Sequence, residues 1–340
     1  MATDASHQAA VLGAGSWGTA LAVHLVSVGH GATLWGRDAR LLAEMAERRA
    51  NPTYLPDVGF PDLLTTTGDL AEALTGARYV IVAVPSHGYR AVLRAAAPHL
   101  PPDAILVGAT KGIETDTLQR MSEVTLEETG KLHPVVVLSG PSFAGEVARQ
   151  RPAALVAASA DADAVCAVQE QFGGPFFRLY ASDDVVGVEV GGALKNVIAI
   201  AAGVVESLDL GHNALAALIT RGLAEISRLA CAMGARRETL AGLSGLGDLV
   251  LTCTGSLSRN RHVGLELGRG RRATEIVASM RMVAEGVKTT TAALALGERY
   301  DVELPIAAQV AEVLEGRKDP REAAADLMLR PQRGELDHVS

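Results

Sequence analysis

Residues 9–18 read Ala-Ala-Val-Leu-Gly-Ala-Gly-Ser-Trp-Gly, a short apolar run that breaks into glycines spaced G-x-G-x-x-G. Residues 19–28 continue as an apolar stretch without glycine or proline and read as a helix. Strand, glycine turn and helix in this order form the context in which such spacing binds a dinucleotide. Gly13 permits the tight turn, Gly15 lets a pyrophosphate approach the backbone, and Gly18 lets the helix pack on the strand. The helix N terminus adds unpaired N–H groups and the positive end of the dipole. The competing reading is a glycine-rich turn that binds nothing; the apolar runs on both sides argue against it.

The next unit bears on which dinucleotide. Residues 31–35 follow a Gly-His-Gly break and read as the second strand, and Gly36-Arg37-Asp38 comes directly after it. An NAD-preferring site places Asp or Glu near this point, on the ribose 2′-hydroxyl. Here a basic residue stands at or next to that position, and a guanidinium suits a 2′-phosphate. The expectation is NADP or NAD, with NADPH preferred. In the alternative, Arg37 only stacks on adenine and both cofactors are accepted.

Hydrophobic residues make up 48% of the 340 and aromatics only 4%, so the core must be built from Ala, Val and Leu. That length suffices for two domains. A net charge of −8, with no basic run, argues against a nucleic-acid surface. Cys166, Cys231 and Cys253 are odd in number and widely spaced, which suggests neither a disulfide framework nor a zinc site and fits a reducing cytoplasm. The nine histidines form no ligand pair, so no metal is expected; His24 and His99 read as structural, and His87 as a residue able to line the cofactor cleft. The N terminus lacks a basic segment before its first apolar run, so no signal peptide is expected. The most apolar stretch, 185–205, contains Glu189, Lys195 and Asn196 and does not read as a membrane span.

Up to about residue 180 the chain alternates strand and helix. Residues 79–84, 104–108, 135–138, 154–157 and 176–180 are the further strand candidates. The loops that follow the first three should share one crevice with the glycine turn, because ligands of open α/β sheets gather beyond the carboxyl ends of strands. Beyond residue 185 long helical runs take over, at 185–207, 213–233, 258–267, 289–300 and 306–314. The fold class is therefore α/β, with an N-terminal Rossmann-like dinucleotide-binding domain (1–185), an all-helical substrate-binding domain (186–330) and a disordered tail (331–340).

Lys195 is the leading catalytic candidate. On a helix, Gly191 and Gly192 lie four and three residues before it and Ala199 four after, so it projects from a face of small neighbours. Each internal glycine costs about 1 kcal/mol relative to Ala, which a bound cofactor ring or substrate would offset. Burial among apolar groups should lower the lysine pKa toward a proton-shuttling range; the alternative is a lysine that snorkels to solvent. Asp248, in Gly245-Leu246-Gly247-Asp248, reads equally as a partner of Lys195 or substrate and as an N-cap. Ser258 reads as the N-cap of a helix whose first turn carries Arg259 and Asn260, an arrangement suited to an anion; Arg261 reads as a solvated surface arginine. Val283 and Glu285 precede another helix, and spacing alone assigns them no role.

Together, Gly13-Ala14-Gly15-Ser16-Trp17-Gly18-Thr19-Ala20, Ala109-Thr110-Lys111-Gly112, Leu138-Ser139-Gly140-Pro141-Ser142-Phe143-Ala144, Ala193-Leu194-Lys195-Asn196, Gly245-Leu246-Gly247-Asp248 and Ser258-Arg259-Asn260 resemble the NAD(P)-dependent sn-glycerol-3-phosphate dehydrogenases of the bacterial soluble type. The resemblance implies that Ser16, Trp17, Gly36, Arg37 and Tyr54 meet the dinucleotide, with Ala144, Arg259, Val283 and Glu285 also on that side. It places Lys111 on both cofactor and substrate, and Gly140 and Ser142 at the substrate. It makes Lys195 the proton donor or acceptor, and Asp248, Ser258, Arg259 and Asn260 the holders of the three-carbon phosphate. Gly36 departs from the larger polar residue often found there in the family.

The implied reaction is reversible reduction of dihydroxyacetone phosphate to sn-glycerol 3-phosphate, feeding phospholipid synthesis. No nucleic acid and no membrane insertion are expected as partners; a homodimer is left open. Two rivals stand: a dehydrogenase of 3-hydroxy acids or 2-ketoacids, whose site grips a carboxylate, and a non-enzymatic redox sensor, in which Lys195 would lack a purpose.

Overall fold

The computed structural model describes residues 7–280, 282–332, 334 and 335. The tail expected at 331–340 therefore falls largely outside the described residues, as do positions 1–6 of the N terminus. The chain forms two compact units, one of residues up to 114 plus 119–189, the other of 115–118 plus 190 onward.

In the first unit, eight strands form one sheet in the order β10-β9-β8-β7-β6-β1-β2-β5. They are β1 (Gln8–Leu12), β2 (Gly31–Trp35), β5 (Leu64–Thr67), β6 (Ala77–Val82), β7 (Ile105–Gly108), β8 (Val135–Ser139), β9 (Ala153–Ala158) and β10 (Phe177–Ser182); β3 (Ala50–Asn51) and β4 (Leu55–Gly59) make a separate hairpin. Every pair in the sheet is parallel except β8 with β9. Side chains of β1 divide between the faces: Ala9 and Val11 pack with Leu21 and Leu25, whereas Ala10 and Leu12 pack with Tyr89 and Leu93. This two-sided burial explains the unbroken apolar strand sequences. The covering helices are α1 (Ser16–Ser27), α2 (Ala39–Arg48), α3 (Leu70–Leu74), α4 (Ser86–Ala96), α5 (Met121–Glu128), α6 (Ala144–Ala148) and α7 (Ala162–Phe172). His24 is buried under α7, with Nε2 2.7 Å from the Phe172 carbonyl oxygen, which is a structural role.

The second unit is built on α8 (Val185–Ser207), α9 (Gly211–Ala232), α10 (Arg237–Leu240), a π-helical turn (Leu243–Gly247), α11 (Asp248–Thr254), α12 (Arg259–Gly268), α13 (Ala273–Ser279), α14 (Glu285–Arg299), α15 (Pro305–Leu314) and α16 (Pro320–Met328). The division into compact units falls at 189/190, within a few residues of the expected 185/186, and the start of α8 gives the physical reason. Val188 packs with Val137 and Ala158 of the sheet. Glu189 accepts hydrogen bonds from Arg120 Nη1 at 2.6 Å and from the Ser122 amide at 2.8 Å. The first turn of α8 thus belongs to the sheet unit. α8 is long and apolar enough to cross a membrane, but most of it is buried inside the protein.

Glu225, on α9, caps α15. Its carboxylate accepts the amides of Ile306 and Ala307, each at 2.9 Å, in the helix's first turn. Burial pushes its pKa up to about 7 despite those bonds. A raised folded-state pKa means full stability below the ordinary carboxylate range and loss as the pH climbs through 7. Between pH 5.5 and 8 the ionisation of Glu225 should remove about 2 kcal/mol. Urea denaturation of Glu225→Gln should show that much less pH dependence than the parent; equal slopes would contradict the assignment.

Candidate active site

The glycine turn is built as its spacing requires. Gly13 has φ of 126°, and a side chain there would lie 2.8 Å from the backbone of Ala83 at the end of β6. A side chain at Gly18 would overlap the Gly13 carbonyl oxygen, so α1 can leave the strand only with glycine at this point. At Gly15 a side chain would meet nothing within 4 Å, and no side chain caps the N terminus of α1. Open space beside uncapped amides fits a pyrophosphate. The helix begins at Ser16, not 19, which puts Ser16, Trp17 and Gly18 in its first turn.

Other elements close around this turn. Asn51, fully buried, donates from Nδ2 to the Ala14 carbonyl at 3.0 Å and to Thr19 Oγ1 at 2.8 Å, while its Oδ1 accepts the Tyr54 amide at 3.0 Å. It thereby ties the β3–β4 turn, and Tyr54, to the glycine turn. Trp17 and Ala144 pack together on Leu55, Val58 and Ala148. Gly36 ends β2 against Ala14, where a side chain would come within 2.9 Å of the Ala14 methyl. Arg37 is exposed beside it. Asp38 spends Oδ1 on the amides of Arg40 and Leu41, as the N-cap of α2. His87 is exposed in the first turn of α4.

The loops after β6, β7 and β8 meet at the same sheet edge. Thr110 Oγ1 donates to the Val84 carbonyl at 2.7 Å, and Lys111 Nζ donates to the Gly140 carbonyl at 2.7 Å and to Ser142 Oγ at 3.2 Å. Gly140 needs its φ of 136°, and Leu155 Cα would stand 2.9 Å from any side chain there.

On the helical unit, Lys195 is 6% exposed and does not snorkel. Its Nζ donates to Asp248 Oδ1 and, at 2.9 Å, to Thr252 Oγ1. Thr252 Oγ1 in turn donates to the Asp248 carbonyl oxygen at 2.6 Å. The expected apolar surround is thus corrected: a carboxylate faces the amine, and an ion pair offsets the cost of burying it. Asp248 is not an N-cap; Gly247 holds that position and the carboxylate serves Lys195. The expected reason for the glycines is also corrected at Gly191, where a side chain would lie 2.9 Å from the Ser244 carbonyl oxygen. The π-turn backbone fills the space assigned to a ligand. Burial pushes the nearby Cys253 thiol up to about 12, so it stays protonated and is no nucleophile.

Ser258 caps α12, its Oγ accepting the Arg261 amide at 3.2 Å. Arg259 follows as the first helical residue, half-buried, and makes no hydrogen bond or ion pair among the described residues. Burial lowers its pKa, and nearby Glu285 partly opposes this. Asn260 donates from Nδ2 to Asn196 Oδ1 at 2.8 Å and accepts the Gly286 amide at 2.9 Å, so its carboxamide joins three helices. Arg261 pairs with Glu206. Glu285 opens α14, four residues before the expected start, with Val283 half-buried just ahead. No group of three or more His, Cys, Asp or Glu able to hold a metal occurs among the described residues.

The anticipated residues thus form two groups, Gly13 to Ala144 on the sheet unit and Lys195 to Glu285 on the helical unit. Sequence reasoning missed Thr252, Asn51 and Asn196. Thr252 lies one helical turn beyond Asp248, a usable signal; Asn51 offers none; Asn196 stands within a quoted motif but received no role.

Residues 8–165 match the family model described as the N terminus of NAD-dependent glycerol-3-phosphate dehydrogenase, and residues 184–325 match the one described as its C terminus. A glycerol-3-phosphate dehydrogenase [NAD(P)+] of Syntrophotalea carbinolica is 54% identical, over 96% of this chain and 99% of the relative. One of Koribacter versatilis is 52% identical over 96% and 98%. The crystal structure of glycerol-3-phosphate dehydrogenase from Coxiella burnetii superposes with a TM-score of 0.92 at 40% identity, covering 96% of this chain and 99% of that one. With both halves of the chain accounted for in order, this protein belongs to the NAD(P)-dependent glycerol-3-phosphate dehydrogenase family.

Proposed function

We propose that this chain reversibly reduces dihydroxyacetone phosphate to sn-glycerol 3-phosphate with NADPH or NADH in the cytoplasm, supplying glycerophospholipid synthesis. One observation carries the reading. The helical unit holds a buried amine bound to a carboxylate, and beside the same α8–α12 framework a half-buried guanidinium at a helix N terminus, without a hydrogen bond or ion pair among the described residues. The first suits a developing alkoxide and the second a phosphate. The substrate named for the relatives carries both groups.

A bound nicotinamide would supply the hydride chemistry at C2 of the substrate. Gly13, Gly15, Ser16 and the uncapped amides of α1 would hold the pyrophosphate, and Trp17, Gly36, Arg37, Tyr54 and Ala144 would flank the dinucleotide. Lys195 gives its proton to the C2 oxygen as the alkoxide forms, while Asp248 and Thr252 hold Nζ in place. Lys111 Nζ, steadied by the Gly140 carbonyl and Ser142 Oγ, supplies positive charge beside the loops after β7 and β8. Arg259 grips the phosphate from the end of α12 with Ser258 and Asn260, so that C2 is presented in one orientation. Arg37 would receive the 2′-phosphate of NADPH, next to Asp38, whose Oδ1 is engaged in capping α2.

Lys195→Ala should lower kcat by roughly 10²- to 10⁴-fold with dinucleotide affinity kept; unchanged turnover would refute its role. Arg259→Ala should lower kcat/KM by about 2–4 kcal/mol, chiefly through KM for dihydroxyacetone phosphate. An equal loss on carboxylated 2-ketoacids, or faster turnover of those acids by the parent, would favour the rival substrate class. Arg37→Ala should lower the NADPH-to-NADH ratio of kcat/KM about tenfold, the worth of one charge-assisted contact; an unchanged ratio would leave Arg37 stacking on adenine.

A further inference from the structure

α8 meets the other site-bearing segments of the helical unit through backbone. At Gly191 it admits the π-turn that leads to Asp248, with the Ser244 carbonyl oxygen 2.9 Å from where a side chain would begin. At Asn196 it admits the start of α14: a side chain at Gly286 would stand 2.5 Å from the Asn196 carbonyl oxygen. At Gly203 it admits α12, since a side chain there would come within 2.7 Å of the Leu265 amide nitrogen. The contact is reciprocal. A side chain at Gly264 would overlap the Ile200 carbonyl oxygen and lie 2.8 Å from its carbon. One turn further, a side chain at Gly268 would overlap Ser207 Oγ, with Ser207 Cβ at 3.0 Å.

Lys195 rides on one member of this crossing and Arg259 on the other. Backbone cannot rotate aside as a side chain can, so the crossing has one separation. The Asn260 carboxamide, bonded to Asn196 and Gly286, pins the same pair of helices close to Lys195.

We propose that Gly203 and Gly264 are positioning residues, and that the glycine crossing of α8 and α12 is a ruler. It sets the span from the Lys195 amine to the Arg259 guanidinium, and so selects substrates whose reducible carbonyl lies one fixed length from their phosphate. The inference rests on the proposed reaction and extends it to specificity. Loss of the ruler should leave each end able to bind but unable to act together. A misplacement of about 1 Å between reacting groups costs on the order of 10²-fold.

The test is Gly264→Ala, assayed with NADPH on dihydroxyacetone phosphate and on unphosphorylated dihydroxyacetone. The ratio of kcat/KM for the two should fall about 100-fold, because only the phosphorylated ketone spans both groups. Competitive inhibition by inorganic phosphate and quenching-measured NADPH affinity should stay within about twofold. An unchanged ratio, or losses on both ketones in proportion to folded protein, would overturn the ruler. Gly268→Ala keeps the test open if that variant does not fold, because its overlap is with a side chain that can be removed. Gly268→Ala should lower the ratio several-fold and Ser207→Gly/Gly268→Ala should restore it; failure of the restoration would count equally against the proposal. A parent enzyme inactive on dihydroxyacetone phosphate would instead overturn the reaction itself, and the ruler with it.

Discussion

The ion pair between Lys195 and Asp248 is the interaction on which the proposed chemistry turns. An ammonium buried to 6% exposure without a partner would cost several kcal/mol, and here the carboxylate and the Thr252 hydroxyl meet it. The pair does more than offset burial. Asp248 opens α11 directly after a π-turn, a feature common at functional sites. Thr252, one turn on, bonds both to Nζ and back to the Asp248 carbonyl. The amine is thus held at a fixed point by two groups that belong to one short helix.

The two units solve different problems. The sheet unit exposes backbone: Gly15 and the uncapped start of α1 leave amides open, and the loops after β6, β7 and β8 interlock through Thr110 and Lys111. The helical unit supplies charge, with Lys195 paired to Asp248 and Arg259 without a hydrogen bond or ion pair among the described residues. A half-buried guanidinium without a hydrogen bond or ion pair among the described residues is costly in the free protein, and under the proposed reaction an arriving anion would offset that cost. On that reading it is binding energy stored by burial, available for orienting a substrate.

How much of this could be read from residues alone follows from the distance over which each feature is determined. The glycine turn was legible because strand, turn and helix adjoin in sequence. Lys195 was legible as an unusual residue in an apolar helix, and Ser258 as a cap. The purpose of Gly191 was not, because its neighbour is Ser244, far along the chain; a ligand was inferred where backbone stands. Asn51 reaches Thr19 across 32 residues and leaves no local mark, whereas Thr252, which reaches Lys195 across 57, is marked only by its place one turn beyond Asp248. The last few residues of the sheet unit are not legible locally, because Glu189 is claimed by Arg120, 69 residues before it. The edge strand β5 and the β3–β4 hairpin are short and polar, and α14 starts without a capping side chain, so the signals that usually mark such elements were missing.

Rescue of the Lys195→Ala enzyme by added methylamine tests the central claim most directly, because it replaces only the proton-bearing group. Turnover of dihydroxyacetone phosphate should recover in proportion to the amine concentration, and more weakly for bulkier amines that fit the vacated space poorly. Turnover that ignores the amine in a folded, dinucleotide-binding variant would contradict the assignment of proton transfer to Lys195.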